Sequence, residues 1–268
     1  MKLFAPVPKL KFFGLVSRAK VSLVFFFALL AAYFFLSGGN LFIPQQAIFS
    51  LSFGWGALHN AFFFEFVQKS LFHLTANIVS FLFFALIVEL ALSGLDVLLV
   101  FFFASIASAL VFLLLNPSTV LFGSSAGVSG LLGVAAVLSP RKTAAAIIAV
   151  VLLLNFLVVP FVSETLKAEE ARLQEKQGLL EKDLNRALAG GDKNRAAAIK
   201  EQLGKAEKEA AEFDLGKLFD AVTGTDFWIH GLGAFFGLAY LFFFRREKFW
   251  HALKEISGKV KKYKSGRH

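Results

Sequence analysis

Six stretches of the chain are too apolar for water, near residues 21–36, 71–91, 95–115, 126–139, 143–162 and 227–244. Crossing a hydrocarbon core takes roughly 20 such residues as a helix, with shorter runs tolerated inside a bundle. Because lipid offers no hydrogen bonds, the backbone in each run must satisfy itself, and an α-helix is the local way to do so. The expectation is an all-α, polytopic membrane protein with six transmembrane helices. Composition agrees. The chain is 57% hydrophobic and holds 35 phenylalanines, where soluble domains sit at about 45–50% apolar. Its mean hydropathy is +0.66. The fourth run is short and rich in Gly and Ala, the composition of a helix enclosed by other helices, where small residues let backbones approach. With no cysteine in the chain, disulfides and thiolate metal sites are excluded.

A net charge of +9 would raise nucleic acid as a partner for a soluble chain. Its distribution argues for a membrane topology instead. With the N-terminus inside and six spans alternating, the segments 1–20, 92–94, 140–142 and 245–268 face the cytoplasm. They hold 16 Lys and Arg residues, against Lys69 alone in the short outer loops. That asymmetry is the positive-inside pattern, and the tail from Arg245 to Arg267 reads as an anchor against anionic headgroups. The expected domains are therefore a basic cytoplasmic segment (1–20), helices one to five (21–162), an insertion (163–220), helix six (221–244) and a basic tail (245–268). The first run reads as a retained signal anchor, because its basic lead-in is long and Ser37-Gly38-Gly39-Asn40 offers no A-x-A-like cleavage site.

Residues 163–220 differ in kind, with 11 basic and 13 acidic residues. Leu166, Leu173 and Leu180 recur every seven, followed by Leu184 and Leu188. Gly190, Gly191 and an N-capping Asp192 break the pattern, and Ile199, Leu203, Ala206, Ala210 and Phe213 resume it. This spacing predicts an extramembrane helical hairpin with a narrow apolar seam. It serves either as a solvated spacer or as a cap or docking element for an extracytoplasmic protein partner. The outer loop 38–70 carries Trp55 and Phe62-Phe63-Phe64-Glu65-Phe66, an amphipathic run expected to lie among headgroups with its aromatics dipped in.

Polar groups inside spans are costly and point to function. His73 and Asn77 open the second span, Ser129 the fourth and His230 the sixth. In the alternating topology all four fall at one level near the outer surface. Singly each has a bland reading: a helix-end cap for Asn77, helix-packing glue for Ser129, an interfacial aromatic for His230. Together they form a constellation with a chemistry. A serine hydroxyl becomes a nucleophile when a histidine accepts its proton, and acyl transfer needs donors for the oxyanion. The Asn77 amide, a His73 ring N–H and the Ser129 backbone N–H are candidates. Gly127, Gly130 and Gly133 on one span and Gly233 and Gly237 on the other are close-packing signatures that would bring Ser129 to His230. Glu89 lies at the inner end of its span and Asp226 just outside the sixth, so no carboxylate is placed to orient His230, and the expectation is a Ser-His dyad. The sequence around Ser129 does not fit the G-x-S-x-G elbow of soluble hydrolases.

These motifs resemble those of the rhomboid family of intramembrane proteases. His73-x-x-x-Asn77 resembles its H-x-x-x-N, Gly127-Val128-Ser129-Gly130 its G-x-S-G, and His230-x-x-Gly233-x-x-x-Gly237 its H-x-x-G-x-x-x-G, in order and on the matching spans. The resemblance covers about residues 20–160 and 225–245. It implies a rhomboid-like bundle with Ser129 as nucleophile, His230 as base and His73 and Asn77 as oxyanion donors. It also implies transmembrane protein substrates cut where their helix unwinds, no cofactor and no metal, and a structural role for Glu89. Two departures stand out. Trp55 is followed by Gly56 where the family often has Arg, and the insertion replaces a usually short loop between the last two spans. Rival readings are a catalytically inactive relative that binds membrane proteins, and a transporter, for which no internal repeat is seen.

Overall fold

The computed structural model describes residues 19–212 and 227–264. Residues 1–18, with most of the basic lead-in, lie outside them, as do Phe213, the stretch 221–226 with Asp226, and residues 265–268. The chain divides into two compact units, Met1–Leu152 with Asp226–His268, and Leu153–Thr225. Both are helical, and no strand longer than an isolated bridge occurs among the described residues.

The first unit contains α1 (Lys20–Ser37), a short α2 (Gln45–Leu51), two 3-10 turns (Trp55–Phe62 and Phe64–Phe66), α3 (Leu71–Ala91), α4 (Gly94–Leu115), α5 (Ser125–Leu138), α6 (Pro140–Leu153), α9 (Phe227–Phe244) and α10 (Arg246–Lys264). By length and composition α1, α3, α4 and the continuous stretch Pro140–Phe161 can each cross a membrane. Trp228–Phe244 and Arg246–Gly258 form a pair bent by 109°, a fifth if the pair is counted as one span. The remaining apolar run, α5, has 14 residues, or roughly 21 Å of rise. It lies at the centre, packed on α3, α4 and α9, with Leu131, Val134 and Ala135 wholly buried. A helix coated by protein need not match the bilayer. Outside, Phe27, Phe35, Leu114, Leu115 and Phe243 are exposed, a surface suited to lipid rather than water. The chain is a multi-pass integral membrane protein.

Phenylalanines fill the gaps between helices. Phe25 of α1 meets Phe66, Phe81, Phe101 and Phe102 at ring separations of 5.0–5.7 Å, mostly edge to face, the favoured arrangement. Two polar ties close the end of the bundle opposite Ser129. The Glu89 carboxylate accepts from the backbone of Val21 (3.1 Å) and Ser22 (2.9 Å) and from the Ser22 hydroxyl. It thereby caps α1, which has no side-chain cap of its own. Asp96, in the first turn of α4, accepts from Arg245 Nε (2.7 Å) and Nη2 (3.1 Å), Tyr240 Oη (2.7 Å) and Ser93 Oγ (2.5 Å). It anchors the far end of α9.

The outer loop is built into the bundle. Phe53 and Leu121 exchange backbone hydrogen bonds at 2.8 Å, Gly123 N donates to Phe64 O at 2.8 Å, and Trp55 Nε1 donates to Leu113 O at 3.2 Å in the last turn of α4. Phe62 and Phe63 are exposed as expected, but Phe64 and Glu65 are buried, so the run is not simply polar side out. The 3-10 turn at Phe64–Phe66 carries Phe64 onto Phe53 (centroids 5.2 Å apart) and takes Glu65 inward with it.

The second unit is a helical hairpin, α7 (Val159–Ala189) and α8 (Lys193–Glu212), entered through a π turn at Leu154–Val158. Gly191 turns the chain at φ 72° and Asp192 Oδ1 accepts from Arg195 N at 3.0 Å, capping α8. Leu173, Ala196 and Ala206 are buried in the seam and Leu180, Leu184, Ile199 and Leu203 half-buried. Leu188, expected in that seam, is 60% exposed: with the turn at Gly190 only two residues away, Ala187 is buried in its place.

Candidate active site

The glycines set the distance between α5 and α9. A Cβ at Gly233 would strike the Ala126 carbonyl, one at Gly237 the Gly130 carbonyl, and one at Gly133 would lie 2.7 Å from Ala234 O. On the other side of α5, a Cβ at Gly127 would lie 2.7 Å from the Phe101 ring and one at Gly130 would strike the Ala104 side chain. Any side chain at these five positions would push α5 away from α9 or α4. All five glycines singled out in the sequence therefore lie at helix contacts.

That closeness lets two side chains meet. Ser129, in the second turn of α5, and His230, in the first turn of α9, are both half-buried. Ser129 Oγ lies 3.1 Å from His230 Nδ1, within hydrogen-bond range. With the ring proton on Nε2, Nδ1 can accept the hydrogen of the serine hydroxyl.

His73 and Asn77 lie on one face of α3, one turn apart. Ser70 Oγ caps this helix by accepting from His73 N (3.2 Å). The His73 Nε2 atom is buried and has no hydrogen-bond partner. Its ring lies against Gly123, where a Cβ would come within 2.9 Å of Cε1 and where φ is +100°, so only glycine suits that turn. Asn77, 7% exposed, donates from Nδ2 to Gln68 Oε1 (2.8 Å). The Ser129 N–H fits the donor role less well. It is the fifth residue of α5, and Val128 N already bonds to Ser124 O at 3.0 Å, so the N–H of Ser129 falls on the helical ladder.

The carboxyls near the bundle are engaged elsewhere: Glu89 at α1, Asp96 at Arg245, and Glu65 buried under the outer loop. Among the described residues neither Glu65 oxygen has a hydrogen-bond partner, and burial pushes its acid well above the usual carboxylate range. Among the described residues no group of three or more His, Asp or Glu could hold a metal.

Gln68 and Ser124 escaped the sequence reading. Both are wholly buried, and Gln68 Nε2 donates to Ser124 Oγ (3.0 Å) and Glu65 O (2.8 Å). Neither sits on a periodic apolar face, since one precedes the cap of α3 and the other is the N-cap of α5. Only their nearness to Asn77 and Ser129 in sequence could have marked them.

No curated protein and no solved structure matches the chain. The family model of the rhomboid domain matches residues 55–168, a stretch that holds His73, Asn77 and Ser129 and ends before His230. Rhomboid-family proteins are intramembrane proteases or inactive relatives of them. On that match, residues 55–168 of this helical membrane bundle carry a rhomboid domain.

Proposed function

We propose that the protein is an intramembrane serine protease that hydrolyses peptide bonds in or near transmembrane segments of other membrane proteins through a Ser129–His230 dyad. The observation that carries this reading is the 3.1 Å approach of Ser129 Oγ to His230 Nδ1 between two helices held together by glycines. In the proposed reaction Ser129 Oγ attacks the scissile carbonyl and its proton passes to His230 Nδ1. Negative charge on the carbonyl oxygen is met by the spare Asn77 Nδ2–H and by a His73 ring N–H. His230 then protonates the leaving amine, and a water activated by the same ring releases the acyl chain from Ser129.

In the proposed topology six spans place both chain ends in the cytoplasm and the site toward the outer leaflet, with the hairpin between spans five and six. The N-terminal ends of α3, α5 and α9 all carry site residues, which supports three spans running the same way. Because the chain lacks cysteine, single-cysteine variants labelled from either side of sealed vesicles test this cleanly.

Activity is tested with a fluorophosphonate probe on the protein in detergent. Labelling of wild type and not of Ser129→Ala is expected. Absence of labelling in folded wild type would leave the inactive, protein-binding relative as the reading. His230→Ala should abolish cleavage of a transmembrane substrate; a rate near wild type would remove His230 as the base.

A further inference from the structure

Gln68 joins three parts of the site through one buried side chain. Its Nε2 donates to the Glu65 carbonyl (2.8 Å) in the outer loop and to Ser124 Oγ (3.0 Å) at the start of the Ser129 helix, and its Oε1 accepts from Asn77 Nδ2 (2.8 Å) on α3. The orientation follows from the partners. A carbonyl can only accept, so the nitrogen of Gln68 must face Glu65, which leaves the oxygen for Asn77. Asn77 must in turn present its nitrogen, and among the described residues only one hydrogen bond from that nitrogen is made.

We propose that Gln68 is a positioning residue that fixes the rotation of the Asn77 amide, so that its second N–H rather than its oxygen faces the developing oxyanion. This rests on the serine-protease reading. Without an acceptor at residue 68, Asn77 would be free to turn its amide by 180° and offer Oδ1, an acceptor, to a negative charge. Serine 124 adds a second consequence. As N-cap of α5 it makes no side-chain cap to its own helix; its hydroxyl receives Gln68 instead, so the same amide sets α3 against the helix that carries the nucleophile. Exposure does not weaken these bonds, since Gln68 and Ser124 are both fully buried and unmade bonds there go uncompensated by water.

A double-mutant cycle on the full-length protein in nanodiscs, with a model transmembrane substrate, tests the assignment. Gln68→Leu should lower kcat by roughly 10–100-fold, less than or at most equal to the loss of the oxyanion donor itself, and leave KM within about twofold. In the Asn77→Ala background Gln68→Leu should change kcat no further, because the group it positions is gone. Fold-changes that simply multiply in the double variant would overturn the proposal. Should Gln68→Leu not fold, Gln68→Glu serves: its protonated acid keeps the acceptor for Asn77 and one of the two donors, its ionised form loses both donors to Glu65 O and Ser124 Oγ, and its kcat relative to wild type should rise as pH falls. A pH-independent ratio would count against the role. If wild type and Asn77→Ala cleave at the same rate, the oxyanion assignment itself is lost. If Asn77→Ala is slow but the cycle is multiplicative, only the role of Gln68 is lost.

Discussion

The most exacting consequence of the packing concerns a single methyl group. Gly133 lies one turn below Ser129 on α5, and Ala234 one turn below His230 on α9, so the contact between them sits directly under the proposed catalytic pair. A Cβ at Gly133 would lie 2.7 Å from Ala234 O and 3.2 Å from Ala234 Cα. Both obstacles are backbone and cannot swing aside. Restoring an ordinary carbon–oxygen contact requires the helices to part by about 0.5 Å, a shift of the kind that overpacking forces at about 1–3 kcal/mol. The Ser129–His230 separation of 3.1 Å would open to about 3.6 Å, no longer a hydrogen bond. Gly133→Ala should therefore cut cleavage by about 10²-fold, the scale of loss for a catalytic group displaced by up to an ångström, while the variant stays folded. Gly231→Ala is the control: it adjoins His230 in sequence, yet beyond its chain neighbours and its own helix no described atom lies within 4 Å of the new methyl. Cleavage rate and fluorophosphonate labelling, normalised to folded protein by thermal unfolding, provide the readout. A Gly133→Ala variant as fast as wild type, or two variants equally slow, would refute the claim that glycine contacts set the catalytic distance.

Three further expectations follow from particular contacts. Arg245→Met should destabilise the protein by about 1–3 kcal/mol, below the cost of breaking a fully buried pair because Arg245 is 43% exposed; adding Asp96→Asn should recover part of it, and a double variant less stable than the single would contradict an unpaired Asp96 as the cause. Glu65 keeps its proton in the folded state at pH values where the unfolded chain has lost it, so stability should fall as pH rises from the usual carboxylate range toward its raised folded value, at up to about 1.4 kcal/mol per pH unit; Glu65→Gln should flatten the dependence of thermal midpoint on pH, and parallel curves would show that the buried acid is not its source. Deleting residues 166–213 tests the hairpin as an element that governs substrate entry or recruitment: cleavage rate or substrate choice should change, and a variant identical to wild type in both would return the hairpin to the status of a spacer.

What could be read from the sequence was whatever one helix dictates alone. Apolar length gave the helices, and the seven-residue repeat gave the hairpin. The G-x-S-G and H-x-x-G-x-x-x-G patterns named two residues whose side chains meet because each carries both a polar group and the glycines that let the next helix approach; H-x-x-x-N carries polar groups alone. The outer loop was harder to read. The amphipathic reading placed the aromatics of the run among headgroups, but 3-10 turns do not keep the period of an α-helix, and the pairing of Phe53 with Leu121, distant in sequence, helps set which side is inward. Gln68 was invisible for a related reason. Its importance lies in three partners on three elements, none at a helical spacing from it, and a glutamine in a loop looks the same whether water or Asn77 receives its oxygen. The proposed nucleophile and base can be found by looking along helices; the groups proposed to aim the oxyanion donor emerge only when the loop that crosses them is in place.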